Sequence, residues 1–238
     1  MNHVVNKKAG FTIIELMLAM AFVATLLVAV AMTVIQIGNT YNRGITFKNV
    51  NQIGRSISSE VQRSIIGVQA FDLGTRYIQQ GEPGNYWGGR LCTGQYTYIW
   101  NYGKAIQAGD ISRLNTYAGG STKTIRFIKV PDSNASYCQD VSKKAVLADS
   151  IELLTVGPNT PEYDLALHSF SIITSATATD VKTGQQLYSI EFLVGTNNSD
   201  ALSLDYQSCK LPGEDGADPS YCSVSRFNVL ARAGNTVK

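Results

Sequence analysis

The chain has 238 residues, 20 of them basic and 18 acidic, for a formal charge of +2. That length allows one folded domain beyond a membrane anchor, and so even a balance gives no electrostatic case for nucleic acid. Four cysteines stand far apart without C-x-x-C spacing or neighbouring histidines, which argues against zinc and suits disulfides formed outside a reducing cytoplasm.

Residues 7–37 are the most informative stretch of the chain. Lys7 and Lys8 lead into the small pair Ala9 and Gly10, and from Phe11 an apolar run begins that accepts one charge, Glu15. The run exceeds the roughly 20 residues that cross a bilayer. A secretory signal has a shorter apolar core, and its small-residue cleavage site comes after that core. Here the small residues come first, so a cut there leaves the apolar segment on the mature chain. It also removes Lys7 and Lys8 and leaves the remainder neutral. A carboxylate inside a membrane helix costs roughly 2.5–3.5 kcal/mol and calls for a partner. The nearest one is the α-amine of Phe11 that a cut after Gly10 would free.

Lys7, Lys8, Gly10, Phe11 and Glu15, in this order and spacing, resemble the processing site of type IV prepilins, the family of pilins and of type II secretion pseudopilins. The resemblance implies cleavage by a prepilin peptidase between Gly10 and Phe11 and N-methylation of Phe11. It implies that Glu15 pairs with the N-terminus of an adjacent subunit during assembly. The implied fold class is α+β: a long N-terminal membrane-spanning helix packed on a C-terminal antiparallel β-sheet with long loops. Implied partners are the peptidase, other pilin subunits and an inner-membrane assembly platform. The implied location is the cytoplasmic (inner) membrane, single-pass, with the C-terminal domain outside the cytoplasm, and an extracellular filament after assembly. Major pilins of the best-known class carry a proline deep in the apolar run, where this chain has Met32. With the length of the chain, that favours a minor pilin; a type II secretion pseudopilin is the alternative.

The organisation expected is a basic leader at 1–10, a membrane or filament-core helix at 11–37, an amphipathic continuation at 38–66 and a β-rich extracytoplasmic domain at 67–238. Tyr41, Ile45, Ile53, Ile57, Val61 and Ile65 recur at multiples of four with charged residues between them, the pattern of a helix with one apolar face. No proline precedes Pro83, so one unbroken helix is expected over 11–66, a rod of roughly 80 Å at 1.5 Å per residue. Gly38, Gly44 and Gly54 are its expected weak points, each by about 1 kcal/mol relative to alanine, and Gly67 its expected end.

Residues 67–120 are rich in Gly, Tyr and Trp and read as loops with short strands, among them 96–100. Their rings either pack on the helix and sheet or form an exposed ligand face. Further strands are expected at 125–130, 151–156, 166–174, 187–194 and 224–230. In 187–194, Tyr188, Ile190, Phe192 and Val194 alternate with polar residues as in a half-buried strand. Thr183 and Gly184 offer a hairpin turn. Residues 197–222 are polar and turn-rich, too poor in apolar side chains to pack a core. Three cysteine pairings are possible; Cys209 with Cys222 is preferred, which leaves Cys92 with Cys138. The 197–222 segment resembles the C-terminal disulfide-bounded region of many type IV pilins.

Catalysis finds little support. His168 is the sole histidine beyond His3, and no G-x-S-x-G elbow accompanies it. It is expected in a strand on the face of Ala166, Phe170 and Ile172. Glu214, Asp215 and Asp218 lack EF-hand spacing and read as a solvated turn, with calcium the competing thought. Residues 72–131 carry seven basic and three acidic side chains among tyrosines, a composition that a single-stranded nucleic acid groove would also use. No cofactor and no metal site is expected. The reading is a structural, non-enzymatic filament subunit. The competing ones are a surface-adhesin or DNA-binding subunit at a filament tip, and an anchored exported enzyme that would work through His168.

Overall fold

A computed structural model describes residues 10–155, 164–174 and 184–234. Lys7 and Lys8 of the expected leader, His3, Val156 and Thr183 lie outside them. The chain divides into two compact units, Met1–Asn42 and Arg43–Lys238. One 54-residue helix, α1 (Ile13–Ile66), belongs to both.

In the first unit, every residue from 10 to 41 is exposed, Phe11 at 88%. This part of α1 is long and apolar enough to cross a membrane. Its hydroxyls are not left open: Thr25, Thr33 and Thr40 donate to the carbonyls of Phe22, Ala29 and Gln36 at 2.9 Å. Hydroxyls satisfied within the helix can lie in an apolar surrounding without the penalty of an unpaired polar group.

The second unit is α+β, with the helix packed on antiparallel sheet. After α1 come α2 (Leu73–Arg76), β1 (Tyr77–Glu82), β2 (Asn85–Cys92), β3 (Tyr96–Asn101), α3 (Gly103–Ala108), β4 (Phe127–Pro131), α4 (Ser136–Gln139) and β5 (Ile151–Glu152). The last strands are β6 (Leu165–Thr174), β7 (Gln186–Thr196) and β8 (Val224–Ala233). Strands β1 to β5 form one antiparallel sheet in sequence order, and β6 to β8 form a second. A parallel bridge between Tyr102 and Leu167 joins the two.

Val50, Ile53, Ile57, Val61 and Ile65 of α1 share one core with residues of both sheets. The expected stripe therefore packs from Ile53 onward. Tyr41, expected on it, is 67% exposed, because burial along the helix begins only at Thr46, whose hydroxyl donates to the Ser220 carbonyl at 3.3 Å. An ion pair between Glu60 and Lys129 ties the helix to β4, and Lys129 Nζ lies 3.6 Å from the Tyr96 ring centroid. The α-helix ends at Ile66; the Gly67 N–H still reaches the Arg63 carbonyl at 3.2 Å.

Gly54 has a different role from the weak point expected of it. A Cβ there would sit 2.0 Å from Phe227 Cζ, so the missing side chain is what lets the β8 ring lie against the helix. Gly88 and Gly89 are similar. They stand inside β2, where a Cβ at Gly89 would meet Trp100 Cζ2 at 2.4 Å. The glycine run that reads as loop is a strand, kept bare so that an indole can lie across it.

The aromatic residues of the 67–120 segment largely pack inward: Tyr98, Trp100, Tyr102 and Tyr117 are buried. Trp100 lies 4.6 Å from Phe170 and 6.1 Å, edge-on, from Phe127. Phe170 continues to Phe192 at 6.2 Å, and Phe192 stacks on Phe227 at 5.3 Å. Such pairs add about 0.5–1.5 kcal/mol each beyond their buried area.

The cysteines form two bridges, Cys92–Cys138 between β2 and α4 and Cys209–Cys222 within the long β7–β8 connection. Removing the second bridge by Cys209→Ser with Cys222→Ser is expected to cost about 3 kcal/mol in the chain-entropy account, read by denaturant unfolding. Gly54→Ala is expected to destabilise by about 1–3 kcal/mol through overpacking, despite the better helix propensity of alanine. Adding Phe227→Leu should recover part of that loss. Additive losses in the double variant would refute the contact.

Candidate functional site

Thr12 and Glu15 start α1 as a reciprocal pair. Glu15 Oε2 accepts from the Thr12 N–H at 2.9 Å and from the Thr12 hydroxyl at 2.8 Å. The Glu15 N–H donates to Thr12 Oγ1 at 3.3 Å. This is the capping box of a T-x-x-E start, in which the cap and the third helical residue satisfy each other's donors. A reading that seeks only a counter-charge for Glu15 passes over Thr12, although the spacing spells the cap. The carboxylate keeps Oε1 open for a further donor, since the local bonds use Oε2 alone.

Gly10 and Phe11 precede the helix, and both are exposed. Among the described residues, nothing beyond its chain neighbours lies within 4 Å of a Cβ built on Gly10. Three residues beyond Thr12 sits the capped carboxylate. Gly10, Phe11 and Glu15 thus share one accessible end of the apolar helix.

His168 shares the face of Ala166, as expected, both lying against Gly103, but not that of Phe170 and Ile172. The β6–β7 register shifts between Leu167 and Ser169, so His168 is the extra residue of a bulge. One extra residue inverts side-chain parity, which sends Leu165 and Leu167 before it, and Phe170 and Ile172 after it, into the same core. The imidazole bonds through Nε2 to the Thr196 carbonyl at 3.1 Å and lies 6.0 Å from the Tyr206 ring. Nδ1 is buried without a hydrogen-bond partner among the described residues. Burial pushes the pKa of the ring down to about 4, opposed only by the bond to Thr196.

The basic residues of 72–131 are mostly used inside the fold. Arg90 donates to the carbonyls of Tyr137 at 2.9 Å and Asp140 at 3.3 Å, and to Asn115 Oδ1 at 3.1 Å. Arg126 pairs with Asp164 at 2.8 Å, Arg113 with Asp110 at 3.3 Å, and Lys129 with Glu60. The acidic turn is similarly occupied: Glu214 accepts from the Leu211 N–H at 2.7 Å, and Asp218 from the N–H groups of Ser220 and Tyr221 at 3.2 Å. Among the described residues, no three potential metal ligands gather. A cleft of about 320 Å³ at the β1–β2 turn is lined by Gly81, Glu82, Asn85, Trp87 and Arg113.

Compared with known proteins, the chain matches no family model, no curated protein and no solved structure. The α+β arrangement, a long apolar N-terminal helix with antiparallel sheet, is compatible with a pilin-like fold.

His168 makes a pH prediction with a definite sign. Its folded pKa of about 4 lies below the ordinary value near 6.5, so the unfolded chain takes up the proton first. Stability is expected to fall as pH drops from about 6.5 to about 4, by at most about 1.4 kcal/mol per unit. In denaturant midpoints measured across that window, His168→Asn should flatten the slope. An unchanged slope in the variant would remove His168 as its cause.

Proposed function

We propose that this chain is a structural subunit of a type IV pilus-like filament, most like a minor pilin, and that it acts by assembly rather than by bond chemistry. The observation that carries the reading is the uncovered apolar helix of residues 10–41 with its exposed Gly10 and Phe11 and capped Glu15. So large an apolar surface must be covered in use, by lipid before assembly and by the helices of sister subunits afterwards. Prepilin peptidase cuts after Gly10 and Phe11 becomes the methylated N-terminus. The open Oε1 of Glu15 then receives the amine of a neighbouring subunit, an ion pair made where water is scarce. The disulfide-bonded α+β unit is held outside the cytoplasm on the inner-membrane assembly platform, and in the filament it forms the outer surface.

A second reading, a tip subunit that binds a surface ligand, is favoured by the polar cleft with Trp87 on one wall. It shares the anchor and differs only in what the outer unit touches.

The capping box provides a substitution that separates charge from helix start. Glutamine also serves at the third position of a capping box, so Glu15→Gln keeps the local bonds and removes the negative charge. Mass spectrometry is expected to find wild type and Glu15→Gln alike beginning at a methylated Phe11, with the variant depleted from sheared filaments about tenfold or more. A chain still beginning at Met1 beside an active prepilin peptidase would refute processing. Normal incorporation of Glu15→Gln would refute the ion pair.

A further inference from the structure

Where α1 ends, three turns meet around a cavity of about 380 Å³. Its polar lining includes Gln69, Arg76, Thr93, Gln95 and Ser133, with Phe71 on one side. Arg76 is the charged residue among its lining, and its Nη1 atom is buried without a hydrogen-bond acceptor. A guanidinium N–H removed from water and left unpaired is costly, so buried donors of this kind are nearly always met by an acceptor. Among the described residues no acceptor reaches it.

The walls are held from outside the cavity, which fixes their positions before anything enters. Ser64 Oγ and Thr93 Oγ1 are hydrogen-bonded at 2.8 Å, anchoring the β2–β3 turn to the end of α1. The Asp132 N–H donates to the Gln95 carbonyl at 2.9 Å, and the Gly234 N–H to the Val68 carbonyl at 2.8 Å. The Cys92–Cys138 bridge fastens β2 to α4 beside the Arg76 backbone, with Cys138 Sγ 3.4 Å from the Arg76 carbonyl oxygen. Gly94, at φ +99°, keeps the turn clear: even a Cβ there would stand 3.9 Å from Arg76 Nη1. Asp72, four residues before Arg76, is exposed and makes no ion pair with it among the described residues. Asp132, next to Ser133 of the lining, has its oxygens occupied by the Thr97 hydroxyl, the Ser136 N–H and hydroxyl and the Tyr137 N–H.

We propose that this cavity is a binding site for a carboxylate, held by the Arg76 guanidinium and flanked by the amides of Gln69 and Gln95 and the hydroxyl of Ser133. A planar guanidinium matches a planar carboxylate in two parallel bonds. One cation with neutral donors suits a singly charged acid better than a phosphate dianion. The volume lies within the range of small-ligand sites, room for an acid with a short stem. The site is independent of the filament reading.

The test titrates the full-length chain, in detergent micelles, with acetate, with N-acetyl-aspartyl-amide and with inorganic phosphate, by calorimetry at low salt. Saturable one-to-one binding of a carboxylate in preference to phosphate is expected. Acetate and the aspartyl probe binding alike would identify a free acid as the source, and selective binding of the aspartyl probe an acidic side chain of another polypeptide. Arg76→Gln is expected to weaken binding about tenfold or more, while Lys104→Gln, an exposed residue outside both cavities, leaves it unchanged. Should Arg76→Gln not fold, Gln95→Leu with Ser133→Ala takes its place and should weaken binding about threefold or more. Absence of saturable carboxylate binding, preference for phosphate, or binding indifferent to the variant used would overturn the proposal.

Discussion

A run of rings joins the two sheets to the helix: Phe127 to Trp100, Trp100 to Phe170, Phe170 to Phe192, and Phe192 to Phe227, which lies against the bare backbone of Gly54. Neither sheet could bury its inner face alone, since the second has three strands and the first ends in a two-residue strand. Stacking the rings across the join gives both sheets and the apolar face of α1 a common core. The glycines follow from this seam. Gly89 admits the Trp100 indole and Gly54 the Phe227 ring, and each accepts the backbone cost of glycine to let a large side chain close.

The same helix that is buried on one face in the second unit is exposed on all sides in the first. Over residues 46–65 the apolar positions are spaced to meet a sheet, and most of the remaining positions are polar, Lys48, Arg55, Glu60 and Arg63 among them charged. Over 13–37 the side chains are apolar all round, and a helix with no polar side must find its cover outside its own chain. The proposed filament role follows from that contrast. The one carboxylate in the apolar half sits in the first turn, where the helix dipole and the free N–H groups favour it. Thr12 meets it there, so local hydrogen bonds stabilise the carboxylate.

Much of the second unit was legible in the chain because its elements obey simple periods. The helical stripe from Ile53 to Ile65, and the alternation of Tyr188, Ile190, Phe192 and Val194 in β7, are local patterns that survive folding unchanged. The hairpin β1–β2 was hidden because its glycines resemble loop punctuation, and their reason, the bulk of Trp100, comes from another strand. The bulge at His168 was hidden because an alternating sequence carries no sign of one inserted residue; only the β6–β7 register reveals it. Of the candidate assembly site, Gly10, Phe11 and Glu15 were legible from order and spacing. Thr12 was legible too, by the T-x-x-E rule. Arg76 was not, because three turns distant in sequence supply its surroundings.

The sequence by itself determined that an apolar helix leads the chain, where that helix turns amphipathic, which residue in it is charged, and that strands and cysteines come after it. These properties depend on composition and on neighbours within a few positions, which the chain carries along its length. The tertiary structure alone decided that the strands form two sheets, that Gly54 is a seat for a ring and not a weak point, and that the Arg76 guanidinium is left without an acceptor. Each of these depends on which side chains meet across long stretches of chain, and on how closely they can approach.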